Sequence, residues 1–516
     1  MLGLLVLLAA AAAAGGVYAW SGATLAADRT ALARIQLQPF AGSILQVHAS
    51  APGGRMIPLE VRGGRLTPRR PVTPGETISI AVTIRRPGWS GWALGSERRE
   101  TLTVRAPEAR VRQQWLTVRP GAPVPVRFNI AISAVSVDHR RVAARGMLVR
   151  LPARTPAGSV EVAAAARRWE RLGPAVKVTW FPPASVPVVL ASPAPDARVG
   201  PLTPLRLTFS KPLSQALGST RPTLSPSVAG RWQQPDTHTL VFTPSGFGAR
   251  FASTLGVRFR REVAASGMAG HSLHVSREIG WSVAPASFLR LQQLLAEEGY
   301  LPLSWAPSAG EVARTPKAQL NAAIDPPSGN FHWRYPNTPP ELQQLWTPAG
   351  PNTITRGAVM TFQDEHGLAV DGIAGPKVWR AVLVDALAGK RRTGGYSYVF
   401  VHRDVPQLLT LWHDGQVVLT SPGNTGVPAA PTALGTFPVF EHIPVGTMSG
   451  TNPDGSRYND PGIRWISYFH GGDALHAFNR SSFGTPQSLG CVELPLASAA
   501  KVWPYTPIGT LVTIEN

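Results

Sequence analysis

The sequence holds a single cysteine, Cys491, among 516 residues. That excludes an intrachain disulfide, so the thiol is either a small buried apolar side chain or a reactive group. Acidic residues are scarce, with 30 Asp+Glu against 50 Lys+Arg and a formal charge of +20. Charged residues of both signs make up only 16% of the chain and hydrophobic ones 44%, which excludes a disordered polyelectrolyte and suits folded domains. No His-Glu-x-x-His string occurs and the 12 histidines show no zinc-site spacing, so neither a metal nor a cofactor is expected. The first twenty residues, MLGLLVLLAAAAAAGGVYAW, contain no charge. They read as a signal peptide cut after Ala19 or as an uncleaved membrane anchor, and the lack of a nearby cysteine excludes a lipoprotein anchor. Export is the expectation.

Glycine and proline are abundant at 50 each, without a collagen period. Such a composition favours turn-rich β-domains with proline-rich joints. The chain is too long for one core, and roughly three to five domains are expected. The positive charge is uneven: residues 21–180 carry 25 Lys+Arg and 9 Asp+Glu, a net of +16. A field of that sign attracts anionic polymers or lipid head groups, unless it is simply a solvated arginine-rich surface. No nucleic-acid-binding motif accompanies it, so nucleic acid is not an expected partner.

Along residues 21–110 and 111–185, period-two alternation marks half-buried strands, as in Thr77 to Ile84 and Val124 to Ile130. Two β-sandwich modules are expected there, with one helical stretch from Val160 to Leu172. A proline-rich joint, Phe181 to Pro187, precedes a third β unit over 186–285 with short strands such as Leu205 to Phe209 and Leu255 to Phe259. Its segment SPAPDARVGPLTPLRLTFSKPL resembles bacterial immunoglobulin-like modules of surface proteins, which implies a spacer.

From Ser287, a plausible N-cap, the periodicity becomes helical, with Phe288, Leu291, Leu294 and Leu295 on one face. Further helices are expected from Arg356 to Gln363 and from Lys377 to Leu387, separated by an Asp371-Gly372 turn and a Gly375-Pro376 helix start. LQQLLAEEGYLP and AVMTFQDEHGLAVDGIAGPKVW resemble a small three-helix peptidoglycan-binding module over residues 286–388, interrupted by an insertion from Ser304 to Ile354. A helical linker without a ligand is the plainer reading.

The last unit, 395–516, opens with strands at Tyr396 to Val401, Gln407 to Trp412 and Gln416 to Thr420, the latter two joined by a His413-Asp414-Gly415 turn. WISYFHGGDALHAFNRSSFGTPQSLGCVELP then places His476 on a strand, 15 positions before Cys491, with a Gly/Pro/Ser-rich loop between them. A thiolate nucleophile needs a base or positive charge beside it. Gly490 permits close backbone approach to a substrate carbonyl, with N–H groups suited to an oxyanion hole. A helix is expected from Pro495 to Trp503. These features alone leave an inert buried cysteine and a catalytic one both open.

Thr425-Gly426, the Pro431 to Phe437 strand, His476, the string Gly484-Thr485-Pro486-Gln487-Ser488-Leu489-Gly490-Cys491 and the closing Gly509 to Ile514 strand together resemble the YkuD-type L,D-transpeptidase catalytic domain, a mostly β fold. Mainly β, multidomain architecture is thus the expected fold class. The resemblance implies Cys491 as nucleophile, His476 as its base, and Ser488, Gly490 and Glu493 at the substrate. It also implies peptidoglycan stem peptides as partners, anionic wall polymers or the membrane surface as further ones, and a location at the cell wall or the outer face of the cytoplasmic membrane. The implied reaction is acyl transfer through a cysteine thioester. Water as acceptor would give an L,D-carboxypeptidase, and a non-catalytic wall-binding scaffold or pseudoenzyme is the rival from another class. Two positions depart from the family pattern. Leu489 stands where His is usual, and Glu493 stands where Arg or Asn is usual. On an extended chain Glu493 projects on the side of Cys491, where a carboxylate raises the thiol pKa and repels a substrate carboxylate. Trp465 and Tyr468 are expected to pack, His470 to make a turn contact, and Asp473 to cap a turn or orient an imidazole.

Overall fold

The computed structural model describes residues 15–153, 155–266 and 273–516. The leader expected over 1–20 therefore lies mostly outside the described residues; residues 15–20 are helical. Among the described residues no helix is long and apolar enough to cross a membrane.

The first unit packs a four-stranded sheet (Ala23–Ala27, Ala33–Leu37, Arg65–Pro68, Leu59–Arg62, in spatial order) against a three-stranded one (Ser43–Ser50, Thr77–Arg85, Glu97–Arg105). Alternation along Thr77–Arg85 buries Ile78, Ile80, Val82 and Ile84 in a core shared with Ala33 and Leu66. The second unit builds a separate core from Val124, Val126, Phe128, Val162 and Val178. Here one expectation fails. The stretch read as a helix from Val160 to Leu172 is instead the strand Gly158–Ala165 and a following turn. Its alanine-rich sequence suits a helix locally, but pairing to Ala134–Val137 and Val176–Phe181 satisfies its backbone, with Val162 and Ala164 turned into the core. The turn that follows sends Trp169 back into the first core, where its indole N–H donates to the Thr30 carbonyl at 2.9 Å. In the third unit, strands from Val188–Ser192 to Leu273–Val283 form one hydrogen-bonded path around a single core centred on Leu205, Leu207, Phe209 and Trp281.

The helical module contains α1 (Phe288–Glu297), α2 (Pro316–Ile324), α3 (Pro340–Gln344), α4 (Thr353–Glu365) and α5 (Pro376–Ala388). Ser287 occupies the N-cap of α1 without a side-chain bond, whereas Asn352 caps α4 by accepting the Thr355 N–H at 2.8 Å. Helix α5 starts at Gly375-Pro376 and stops at Gly389, which is left-handed at φ 64°. Between α4 and α5 the Gln363 amide holds the Asp371-Gly372 turn: its carbonyl accepts both turn N–H groups, and its NH2 donates to the Asp371 carboxylate at 2.6 Å. The 304–354 insertion is no loose loop. It supplies α2, α3 and a hairpin (Leu303–Pro307 with Gly329–Trp333), and Leu320, Ala323 and Leu342 lie in the module's core. The expected three helices are joined by two more.

In the C-terminal unit β1 (Ser397–His402), β2 (Leu408–His413), β3 (Gln416–Pro422), β4 (Gly435–Pro438) and β9 (Leu511–Glu515) form one sheet in the order β3-β2-β1-β9-β4. A second sheet runs β5 (Glu441–Thr451), β6 (Arg457–His470), β7 (Asp473–Ala477), β8 (Val492–Leu494). Val399, Leu411, Val512, Leu475, Val492 and Leu494 fill the space between them. The β2–β3 turn carries positive φ at Asp414 and Gly415, 45° and 89°, as a tight hairpin requires. A short helix, α6 (Leu496–Val502), follows β8 with Pro495 as its N-cap.

The helical module and the C-terminal unit share a core: Tyr398, Trp412 and Leu511 lie in the cluster built around Leu291, Ile354 and Phe362. At the joint, a Cβ on Gly357 of α4 would sit 2.5 Å from the Gly509 carbonyl oxygen, so only glycine permits the approach. One turn on, the Thr361 hydroxyl donates to the Ile508 carbonyl at 3.0 Å.

Candidate active site

The parallel pair β7–β8 sets the site. Its register places Leu475 opposite Val492 and His476 opposite Glu493. Leu475, Ala477, Val492 and Leu494 point into the core, so Ala474, His476, Cys491 and Glu493 share the other face. Cys491 and His476 are thus diagonal neighbours, about 4.8 Å apart across the strands and about 6.8 Å along them at the backbone. Their side chains leave the same face of the sheet.

Cys491 is partly exposed. Its thiol donates to the Gly472 carbonyl with Sγ–O of 3.6 Å, and the Ala474 N–H meets the sulfur. Burial of the sulfur pushes the thiol up to about 12, reinforced by the Asp473 and Glu493 carboxylates. His476 is 3% exposed, and its Nδ1 donates to the Ala477 carbonyl at 2.9 Å. A carbonyl only accepts, so that bond fixes the tautomer and leaves Nε2 with its lone pair. Burial lowers the imidazole pKa. Both partners are therefore neutral at rest. Among the described residues no hydrogen bond joins His476 to Cys491, and the thiol faces Gly472 instead.

The remaining expected site residues are engaged with the protein itself. Ser488, buried, donates its hydroxyl to the Cys491 carbonyl at 2.5 Å and so fixes the loop. Gly490 adopts φ 115°, and a Cβ there would lie 2.2 Å from Asp473 Oδ1. The close neighbour demanding glycine is thus a carboxylate of the chain. Asp473 also accepts the Ala433 N–H at 3.3 Å and pairs with His470 at 3.4 Å across the Gly471-Gly472 turn, so the imidazole it touches is not that of His476. Glu493 does share the face of Cys491. It is not bare, however, because Arg480 grips it through two bonds, Nε to Oε2 at 2.8 Å and Nη2 to Oε1 at 2.7 Å. Trp465 packs against the core, while the hydroxyls of Tyr458 and Tyr468, raised chiefly by burial, also sense the Cys491 sulfur and so border its cleft.

Two contributors were not apparent from the sequence. Arg480 ties the loop to the strand, donating also to the Gln487 carbonyl at 3.1 Å while its guanidinium lies 4.6 Å from the Phe478 ring. The signal for it was Glu493 itself, since a buried acid on a catalytic face demands a cation near it. Asn424 pairs its backbone both ways with Glu493 at 2.9 Å, and its side-chain oxygen accepts the Gly484 N–H at 3.0 Å. Among the described residues no group of three or more His, Cys, Asp or Glu is placed to hold a metal.

Comparison with known proteins follows the same division of the chain. Residues 396–514 match the family model of the L,D-transpeptidase catalytic domain, YkuD, and residues 352–382 match that of a putative peptidoglycan binding domain. Solved structures similar to the chain include an L,D-transpeptidase from Mycobacterium smegmatis, with 14% identity, 64% of this chain and 100% of that one covered, and a TM-score of 0.22. The catalytic domain of the E. faecium L,D-transpeptidase shows 25% identity over 23% of this chain and 96% of its own, also at a TM-score of 0.22. L,D-transpeptidase 3 from Mycobacterium tuberculosis shows 12% identity over 64% and 99%, at a TM-score of 0.21. No curated protein matches. With the thiol, the buried imidazole and their supporting loop all inside the matched segment, the chain carries an L,D-transpeptidase catalytic domain of the YkuD family, preceded by a putative peptidoglycan binding domain.

Proposed function

We propose that this protein cross-links peptidoglycan stem peptides through a thioester on Cys491. The observation that supports the reading is that the only thiol and a buried imidazole, its Nδ1 bonded to the Ala477 carbonyl, share one sheet face within the matched domain. When a donor stem enters, the thiol swings from the Gly472 carbonyl toward Nε2 by rotation about χ1. His476 takes the proton as Sγ attacks the carbonyl between the third-position diamino acid and the terminal D-Ala. N–H groups at Gly490 and Cys491 hold the oxyanion. D-Ala leaves with the proton from His476, and the side-chain amine of a second stem then attacks the thioester. A new amide forms and the thiol is released.

Holding both groups neutral avoids a standing thiolate in a water-accessible cleft and delays ionisation until substrate is present. The wall is then the place of work, in keeping with the upstream module. The test is intact-mass spectrometry with a carbapenem, followed by incubation with a disaccharide tetrapeptide. Wild type should gain one adduct and release D-Ala with dimer formation, and Cys491→Ala should do neither. An unreactive wild-type thiol would end the enzymatic reading.

A further inference from the structure

A cavity of about 800 Å3 lies between the third β unit and the helical module, far in sequence from Cys491. One wall comes from the segment matched to the putative peptidoglycan binding domain, with Leu368, Asp371, Ile373 and Lys377. The opposite wall is the Ser245 to Phe251 turn together with Pro226 to Ala229. We propose that this groove seats a peptidoglycan strand, glycan with its acidic stems, and that the third β unit is half of the binding site rather than a spacer. The inference rests on the reading that the helical module binds peptidoglycan.

Four observations support it. The volume falls in the range of ligand sites, about 300–1,000 Å3. The β-unit wall is rigid: Gly248 has φ 63° with its Cα against the Pro201 carbonyl, and Ala249 N–H donates to that carbonyl at 3.0 Å. The walls are pinned together at the floor, where Phe251 meets Trp379 edge-on at 5.7 Å and the Arg380 guanidinium lies 5.4 Å from the Phe247 ring. Finally, Ile373 stands 65% exposed on the rim, unexplained by folding.

Charge selects the occupant. Arg250, Lys377 and Arg380 line the groove, and among the described residues none of them forms an ion pair. The one carboxylate present, Asp371, is already bound to the Gln363 amide and the Ile373 N–H. Three free cations beside an apolar floor suit a polymer with sugar faces and stem carboxylates.

The test is co-sedimentation of the full-length chain with purified insoluble peptidoglycan freed of attached anionic polymers. Arg250→Glu and Lys377→Glu should each weaken binding about tenfold, the loss expected for one charged contact turned repulsive. Arg277→Glu, exposed on the strand Leu273–Val283 of the same β unit and outside the groove lining, should bind as wild type. Carbapenem acylation of Cys491 should be unchanged in all three, showing an intact fold. If Lys377→Glu loses binding while Arg250→Glu does not, the second wall is dispensable and the proposal falls, leaving the module's own role untouched. If wild type binds only peptidoglycan that still carries its anionic polymers, the occupant is wrong. If wild type binds neither, the module's role fails and this inference with it.

Discussion

Two of the buried glutamates, one in the C-terminal unit and one in the helical module, are kept in different ways. At the catalytic face Glu493 is 4% exposed and held by a two-pronged bond to Arg480. In the helical module Glu298, at the C-terminus of α1, is 3% exposed, and among the described residues neither carboxylate oxygen has a hydrogen-bond partner. Burial, with Asp385 and Glu297 adding to it, raises the Glu298 pKa to about 9. One site keeps its charge by pairing it, and the other discards the charge by holding a proton. Next to the thiol the distinction is functional. A paired Glu493 confines its field, so the raised thiol pKa comes first from burial and only then from carboxylates. The repulsion expected of a bare acid at position 493 is blunted by the Arg480 guanidinium.

The sharpest way to test the catalytic half of this contrast is to remove the base. His476→Gln should lower carbapenem acylation by about 10²–10⁴-fold. In the wild type, acylation should stay level through neutral pH and fall only below the ordinary histidine range, because burial lowers the His476 pKa. In the variant, the residual rate should climb with pH toward about 12, where the thiol ionises unaided. A wild-type rate that drops already at pH 7 would contradict the buried neutral imidazole.

Breaking the pair comes next. Arg480→Ala should destabilise the protein by about 3 kcal/mol, the lower end for a stranded buried charge, since the arginine side chain is 31% open to solvent. It should also slow acylation, because the loop carrying Ser488 and Cys491 loses its tie at Gln487. Adding Glu493→Gln to Arg480→Ala should restore most of the stability. Equal losses in single and double variants, by urea denaturation, would show that the pair does not act as one.

The remaining test concerns Glu298, whose effect depends on pH. Its folded pKa lies above the unfolded one, so the folded state binds the extra proton and wild-type stability declines as pH rises from about 4.5 to about 9. Glu298→Gln removes that dependence. Its stabilising increment over wild type should grow across the same window and then level off. An increment independent of pH would mean that Glu298 is ionised after all.

Much of the catalytic unit was legible because its strands alternate cleanly and its turns carry Gly, Asp and Pro where backbone geometry demands them. The β1, β2 and β9 strands lie within two residues of their expected positions. The 160–172 stretch was misread because alanine favours a helix while two neighbouring strands offered better partners. The 304–354 insertion looked like an interruption because its apolar residues are sparse, yet Leu320 and Leu342 each fill a place in a core assembled from distant segments. Within the site, the same-side projection of Glu493 could be read from alternation, whereas the roles of Cys491 and His476 came from the resemblance and not from their spacing. The grip of Arg480 could not be so read, since it depends on how the twelve intervening residues fold back. Nor could the approach of Asp473 to Gly490, which arises across strands rather than along them.

The glycine-to-glycine meeting of Gly357 and Gly509 has a mechanical consequence. With backbone against backbone at that joint and a common interior on either side, the helical module cannot pivot about the C-terminal unit. Thiol and tether stay at one fixed span. Under the proposed function, the slack that brings a second strand up to the sulfur would then come from the elastic mesh, with the protein as a rigid jig against a compliant fabric.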